Sequence, residues 1–337
     1  MNFSPELSKE AAILVSLLAA SMWGSWFVSL KYIGKYPLDA FFMTLFTTSI
    51  VFVWGVGFLV DRGALLGNII SVLGNDPSRV VATLVCGVFY VVGMRFSLTV
   101  LSRIGLALAQ PIQSSIGILI GTTITTLIGG LPRGVSIWRI LLAALILIGA
   151  VIATMFAAEW RRQNESSNPG SGGMIVTRKD MQRAIGLIVI ASFFSPAYPF
   201  ALSYGLRSTT HPEGLAVLPF MALLATGAFI GCSLTCGVNL TRTHQWGVVR
   251  GAGFRIHKWG IGSGLFHYGG NIIHTFATAF LSSAISWPLG ITAGLWTQVW
   301  GLVYGEFKGS PTKAYLALFA AFGFYIVGAY VIASASF

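Results

Sequence analysis

Hydrophobic residues run along this chain in long blocks, and polar residues fall mainly in short gaps between them. Blocks long enough to cross about 30 Å of hydrocarbon lie at residues 11–30, 38–60, 80–102, 105–127, 137–158, 184–205, 214–238, 258–280, 283–304 and 314–335. The pattern predicts an all-α polytopic membrane protein with ten spanning helices. One long polar interruption, "EWRRQNESSNPGSGGMIVTRKDMQR" from Glu159 to Arg183, divides five spans from five. Its Ser, Gly and charge content marks residues 159–183 as a linker between a first unit, 1–158, and a second, 184–337. Its "NPGSGG" lacks the GK[ST] ending of a phosphate-binding loop, so no nucleotide is assigned to it. The first block is followed by Lys31 and Tyr32, not by a small-residue cleavage site, and is read as a span.

The two units share a pattern. Sliding the chain along itself until Gly93 meets Gly270 lays "GMRFSLTV" on "GNIIHTFA" and "QPIQSSIG" on "WPLGITAG", so that Pro111 also meets Pro288 and Gly117 meets Gly294. An odd number of crossings separates the starts of the two units, which therefore run in opposite directions through the membrane. Inverted five-helix repeats of this kind point to a transporter with its substrate at the repeat interface, beside interrupted helices.

Composition sharpens the picture. Charged residues make up only 9% of the chain against 55% hydrophobic, with a mean hydropathy of +0.78. Soluble domains carry about 25% charge, and so few charges cannot cover a soluble globule of this size. The net charge of +11 could suggest nucleic acid, but the basic residues sit between spans, where they act as topology signals. Fourteen of the 21 Lys and Arg fall on one side, six on the other, and Arg95 lies inside a span. The richer side is expected to face the cytoplasm, which places the linker inside and both termini outside a plasma (inner) membrane. Cys86, Cys232 and Cys236 lie in apolar blocks and lack the companions of a zinc site, so they read as packing residues.

Within the eighth span, "HYGGNIIH" interrupts a run from Trp259 to Leu281 that has no Asp, Glu, Lys or Arg. At about 100° per residue, Asn271 lies about 40° from His267, and His274 about 20° from it on the other side. The three side chains share a stripe, which either lines a cavity or bonds to neighbouring helices as interhelical glue. Arg95 is a functional candidate as an intramembrane cation, with snorkelling as the plain reading and Asp39 as the first acid to test as its partner. Prolines break the fourth and ninth spans at "LAQPIQSS" and "ISWPLGIT", beside Gln110, Gln113 and Trp287. Amides offer donors and acceptors, and an indole offers a flat apolar face. "SMWGSWF" adds Trp23, Ser25 and Trp26 from the first span. No acid–base pair and no nucleophile with an evident activator suggests an enzyme. Neither a cofactor nor a metal is expected. With no carboxylate in mid-span, His267 and His274 are the groups suited to a proton step.

The ten-span pattern, "WGSW" in the first span, "GLALAQPIQSSIGILIGTTI" in the fourth, "GGN" in the eighth and "GLVYGEFKG" ending the ninth resemble the drug/metabolite transporter superfamily. Its nearest groups in this respect are the bacterial glucose/ribose and rhamnose porters and the plant ureide permeases. The resemblance covers nearly the whole chain. It implies uptake of a small neutral polar solute, often in symport with protons. Two positions depart from the pattern: ureide permeases carry a glutamate where this chain has Gln110, and Gly129 and Gly130 are the first-unit counterparts of the acidic motif. The expected activity is carriage of a monosaccharide or ureide-like solute by a monomer or homodimer. The alternative is an anionic metabolite, a sugar acid or phosphate, held by Arg95.

Overall fold

The computed structural model describes residues 7–104, 117–166, 186–187, 190–191, 193–194 and 196–335. Helix α1 (Lys9–Trp23) starts at Ser8, whose side chain accepts from the Ala11 amide, and continues through a 3-10 segment, Trp26–Tyr32. Then come α2 (Leu38–Asp61), α3 (Ala64–Asn75) and α4 (Pro77–Ile104). A π turn, Gly117–Gly121, leads into α5 (Thr122–Leu127), and α6 spans Ile137–Ser166. After α7 (Ala197–Tyr204), helix α8 (Val217–Cys232) passes through a second π turn, Ser233–Gly237, into α9 (Val238–Arg242). The chain closes with α10 (Trp246–Gly251), α11 (Phe254–Leu281), α12 (Ser283–Ile291), α13 (Ala293–Val303) and α14 (Thr312–Ser334).

Among the described residues six helical segments are long and apolar enough to cross a membrane: Lys9–Tyr32, Leu38–Asp61, Pro77–Ser97, Ile137–Asn164, Val217–Arg242 and Thr312–Ser334. The described β-structure is an isolated bridge between Leu206 and Leu215. The polarity runs inside out, as lipid demands. Leu59, Trp138, Leu316 and Tyr330 are exposed, whereas Ser16, Ser49, Thr83, Asn271, His274 and Thr275 are buried.

Several boundaries differ from the sequence pattern. Helix α6 continues into the expected linker as far as Ser166, because Arg162 and Gln163 bond Glu159 one turn back and extend the helix into water. Helix α3 is additional: at 12 residues it is too short to span, with Leu65 and Val72 buried and Ile70 exposed. Pro288 stays inside α12, and the ninth span breaks further on at Thr292, whose hydroxyl donates to the Leu289 carbonyl at 2.6 Å.

Helix pairs define the interior. Helix α4 packs on α8 and α7, α11 packs on α2 and α1, and α6 packs on α14. Glycine permits the closest of these approaches. A Cβ on Gly87 of α4 would overlap the Leu224 carbonyl of α8, and one on Gly264 of α11 would stand 2.6 Å from the Leu45 carbonyl of α2.

Candidate functional site

Helix α11 carries Ser263, His267, Asn271, His274 and Thr278 along one face, and all five are buried. Neighbouring helices hold the three central residues by one polar atom each. The Trp23 indole donates to Asn271 Oδ1 at 2.8 Å from the end of α1. Tyr90 of α4 bonds His267 Nε2 at 2.6 Å, with the two rings parallel and 6.0 Å apart. His274 Nε2 reaches the Ser286 carbonyl of α12 at 3.0 Å. Thr278 Oγ1 bonds Ser286 Oγ at 2.7 Å and staples the same two helices.

The other polar atom of each residue has no protein partner among the described residues. His267 Nδ1, Asn271 Nδ2, His274 Nδ1 and the nearby Tyr198 hydroxyl are buried and unbonded there. A buried polar group left unbonded costs about 1–3 kcal/mol, so four together are a substantial cost for one small region. Aromatic rings surround them. Trp23 lies 4.6 Å from the His274 ring and 5.8 Å from Tyr198, and Tyr198 lies 6.1 Å from Trp287. Trp26 meets His267 edge-on at 5.2 Å. The result is a packed cluster of indole and phenol faces around a strip of donors and acceptors with no formal charge of its own. It suits an uncharged ligand with a flat face and several hydrogen-bonding groups.

The structure thus joins His267, Asn271, His274, Trp23, Trp26 and Trp287 in one region, where each polar stripe residue bonds a neighbouring helix with one atom and has no partner for the other among the described residues. Ser25 is drawn elsewhere, donating to the Ser21 carbonyl and accepting from Trp300 at 2.8 Å. Arg95 is also drawn elsewhere. It pairs with Asp39, Nε to Oδ1 at 2.8 Å and Nη2 to Oδ2 at 3.1 Å, and Asn239 adds a bond to Oδ2. Gln110 and Gln113 lie outside the described residues. Tyr90, Tyr198 and Ser286 complete the site and were missed from the sequence. Tyr90 could have been found, because the repeat shift lays it on His267. Tyr198 carries only a weak signal, an aromatic beside Pro199 in "SPAYPF". A pocket of about 190 Å³ around Pro132–Val135, Thr209, Phe280 and Ile285 contains none of these residues.

No family model and no curated protein matches this chain. A solved structure described only as "Crystal structure of protein" is similar over 96% of both chains, with a TM-score of 0.59 and 14% sequence identity. That likeness is one of fold.

Proposed function

We propose that this chain is a secondary transporter that carries a small neutral polar solute, a monosaccharide or a ureide-like compound, across the plasma membrane by alternating access. The observation that carries the reading is the row of half-bonded side chains on α11. One atom of each fixes the side chain in the fold, and the second is left to replace the water shell of a solute. Trp23, Tyr198 and Trp287 offer faces for its apolar side.

An arrangement of two inverted repeats, 1–158 and 184–337, draws support from positions that the Gly93-to-Gly270 shift brings together. Helices α4 and α11 are both 28 residues long, and the shift carries Pro77 onto Phe254 and Ile104 onto Leu281, their first and last residues. The packing of α4 on α8 is matched by that of α11 on α2, and the same shift lays Gly87 on Gly264. It also lays Tyr90 on His267, and these two bond to each other, as residues beside a two-fold axis do. Rocking of the units about that contact would open the α11 stripe to either side in turn. In this reading the linker is cytoplasmic and both termini are outside. A proton step falls to His267 or His274. The anionic alternative loses its motive, since Asp39 already neutralises Arg95.

A thermal-shift panel of sugars, ureides, purines and organic acids on purified protein tests the solute class, and a neutral compound is expected to stabilise. Asn271→Leu is expected to abolish that shift and uptake while lowering the melting temperature only modestly, because the Trp23 indole loses its acceptor at about 1–2 kcal/mol. Stabilisation by organic acids alone, or undiminished uptake in Asn271→Leu, refutes the proposal. Cysteines placed at 163–173 are expected to label only from the cytoplasmic side, and labelling from outside would reverse the orientation.

A further inference from the structure

The hydrogen-bonding polarity of the α11 stripe is dictated by the atoms that hold it. An asparagine amide can present either its donor or its acceptor end, and an imidazole either tautomer. Here both choices are removed. The Trp23 indole N–H can only donate, so at 2.8 Å it claims Asn271 Oδ1 and leaves the amide NH2 as the end with no hydrogen-bond partner among the described residues. The Ser286 carbonyl can only accept, so His274 Nε2, 3.0 Å away, carries the hydrogen. In the neutral ring Nδ1 is then an acceptor, and it is the unbonded atom. His267 differs from both. Its partner is the Tyr90 hydroxyl, which can donate or accept, so its free Nδ1 can take either part.

We infer that Trp23 and the Ser286 carbonyl lock Asn271 as a donor and His274 as an acceptor, a pair that selects solutes bearing an acceptor beside a donor. The inference rests on the carrier reading above and deepens it. Asn271 and His274 are separated by about 4.5 Å of helix rise and about 60° of turn, a spacing suited to two groups on neighbouring atoms of one small molecule. A lactam edge, with C=O next to N–H, meets the requirement in one orientation only, and two adjacent hydroxyls meet it by rotation. Trp23 is a positioning residue for Asn271 in addition to packing against the His274 ring. His274 becomes a fixed acceptor, which leaves His267, with its adaptable partner, for any proton step.

The first test reads the tautomer directly, without a solute. Nitrogen-15 NMR of histidine-labelled protein in nanodiscs at neutral pH, with His274→Gln to assign the signal, is expected to show His274 protonated at Nε2 alone. Protonation at Nδ1, or at both nitrogens, overturns the inference. The second test compares hydantoin with its N,N′-dimethyl derivative, which keeps the ring and carbonyls but has no donor. Wild type is expected to bind hydantoin about tenfold or more tightly than the dimethyl compound, the scale of one lost hydrogen bond at about 1.4 kcal/mol. Trp23→Phe keeps a ring but releases the Asn271 amide to rotate, and it is expected to bind hydantoin several-fold more weakly while the preference over the dimethyl compound, which His274 sets, persists. Equal affinities in wild type, or undiminished hydantoin binding in Trp23→Phe, overturn the inference. If wild type binds neither compound, the solute reading fails, and the tautomer measurement still decides the residue roles.

Discussion

The two ends of the bundle are held by charge clusters of opposite make-up. At one end a carboxylate sits between two cations: Glu306 accepts from Lys31 at 2.5 Å and from Arg161 at 3.0 Å. At the other a guanidinium sits among acceptors: Arg79 pairs with Asp76 at 2.9 Å, with Glu213, and with the Tyr204 carbonyl. Both clusters tie the first half of the chain to the second. Lys31, Arg79 and Arg161 lie in the first half of the chain, and Tyr204, Glu213 and Glu306 lie in the second. Yet the repeat shift lays Gly129 on Glu306 and Lys31 on Ser208, so neither charge has a counterpart in the other unit. The halves share helix positions and packing glycines but not the chemistry of their ends. For a carrier that difference would let each end open at its own free-energy cost.

Burial separates the clusters further. The Arg79 side chain is only 8% exposed and its carboxylates are largely in water, whereas the Glu306 hub is 29% exposed with Lys31 at 41%. Burial pushes the Glu306 carboxyl up, but Lys31 and Arg161 outweigh it and hold the group below its usual range. A backbone hydrogen bond is the first cause of a lowered Glu213, with Arg79 and His211 adding to it and partial burial opposing.

The sharpest way to break the comparison is at the buried hub. Arg79→Met strands the Tyr204 carbonyl and leaves two carboxylates facing one another, at about 2–4 kcal/mol, so the melting temperature in detergent is expected to fall by several degrees. An unchanged value would show that this end does not depend on its cation. Glu306→Gln removes the anion between two partly solvated cations and is expected to cost about 1–2 kcal/mol after screening. That variant also supplies the pH control. A carboxyl whose folded pKa is depressed stabilises above the unfolded value and loses that contribution as pH falls through the folded one. Wild type is therefore expected to lose more stability than Glu306→Gln as the pH drops below about 4.5, the group's ordinary value. Parallel acid profiles would remove Glu306 from the account. The smallest effect is expected from Tyr32→Phe, which loses an exposed 2.7 Å bond to the Tyr304 hydroxyl but keeps its stack on Trp259 at 4.3 Å. Its cost is about 0.5 kcal/mol, and a double-mutant cycle with Tyr304→Phe would measure the pair.

Much of this architecture is legible in the sequence, because a helix in lipid must satisfy its backbone internally and present apolar side chains over a fixed length. That rule places α2, α4 and α14 within a few residues of their observed ends. Helix α3 escapes it, being too short to span, and the extension of α6 escapes it because polar side chains, not lipid, support those turns. The ninth span shows the limit of a local rule: Pro288 marks an irregular region, but the break falls at Thr292, where a hydroxyl competes for a backbone carbonyl.

By itself the sequence determined that α11 carries a polar stripe, that Arg95 lies within an apolar block with Asp39 as the first acid to test, and that Gly93, Pro111 and Gly117 meet Gly270, Pro288 and Gly294 under one shift. These follow from helical periodicity and the cost of charge in hydrocarbon, both of which act along a single segment, and from a pattern that can be compared without folding the chain. Tertiary structure decided that Arg95 takes Asp39, that Tyr90 and Tyr198 join the stripe, and which atom of each stripe residue a neighbouring helix holds. Those outcomes depend on partners remote in the chain, as Trp23 of α1 and Asn271 of α11 are. A hydrogen bond has direction as well as reach, and only packed helices bring its donor and acceptor into line.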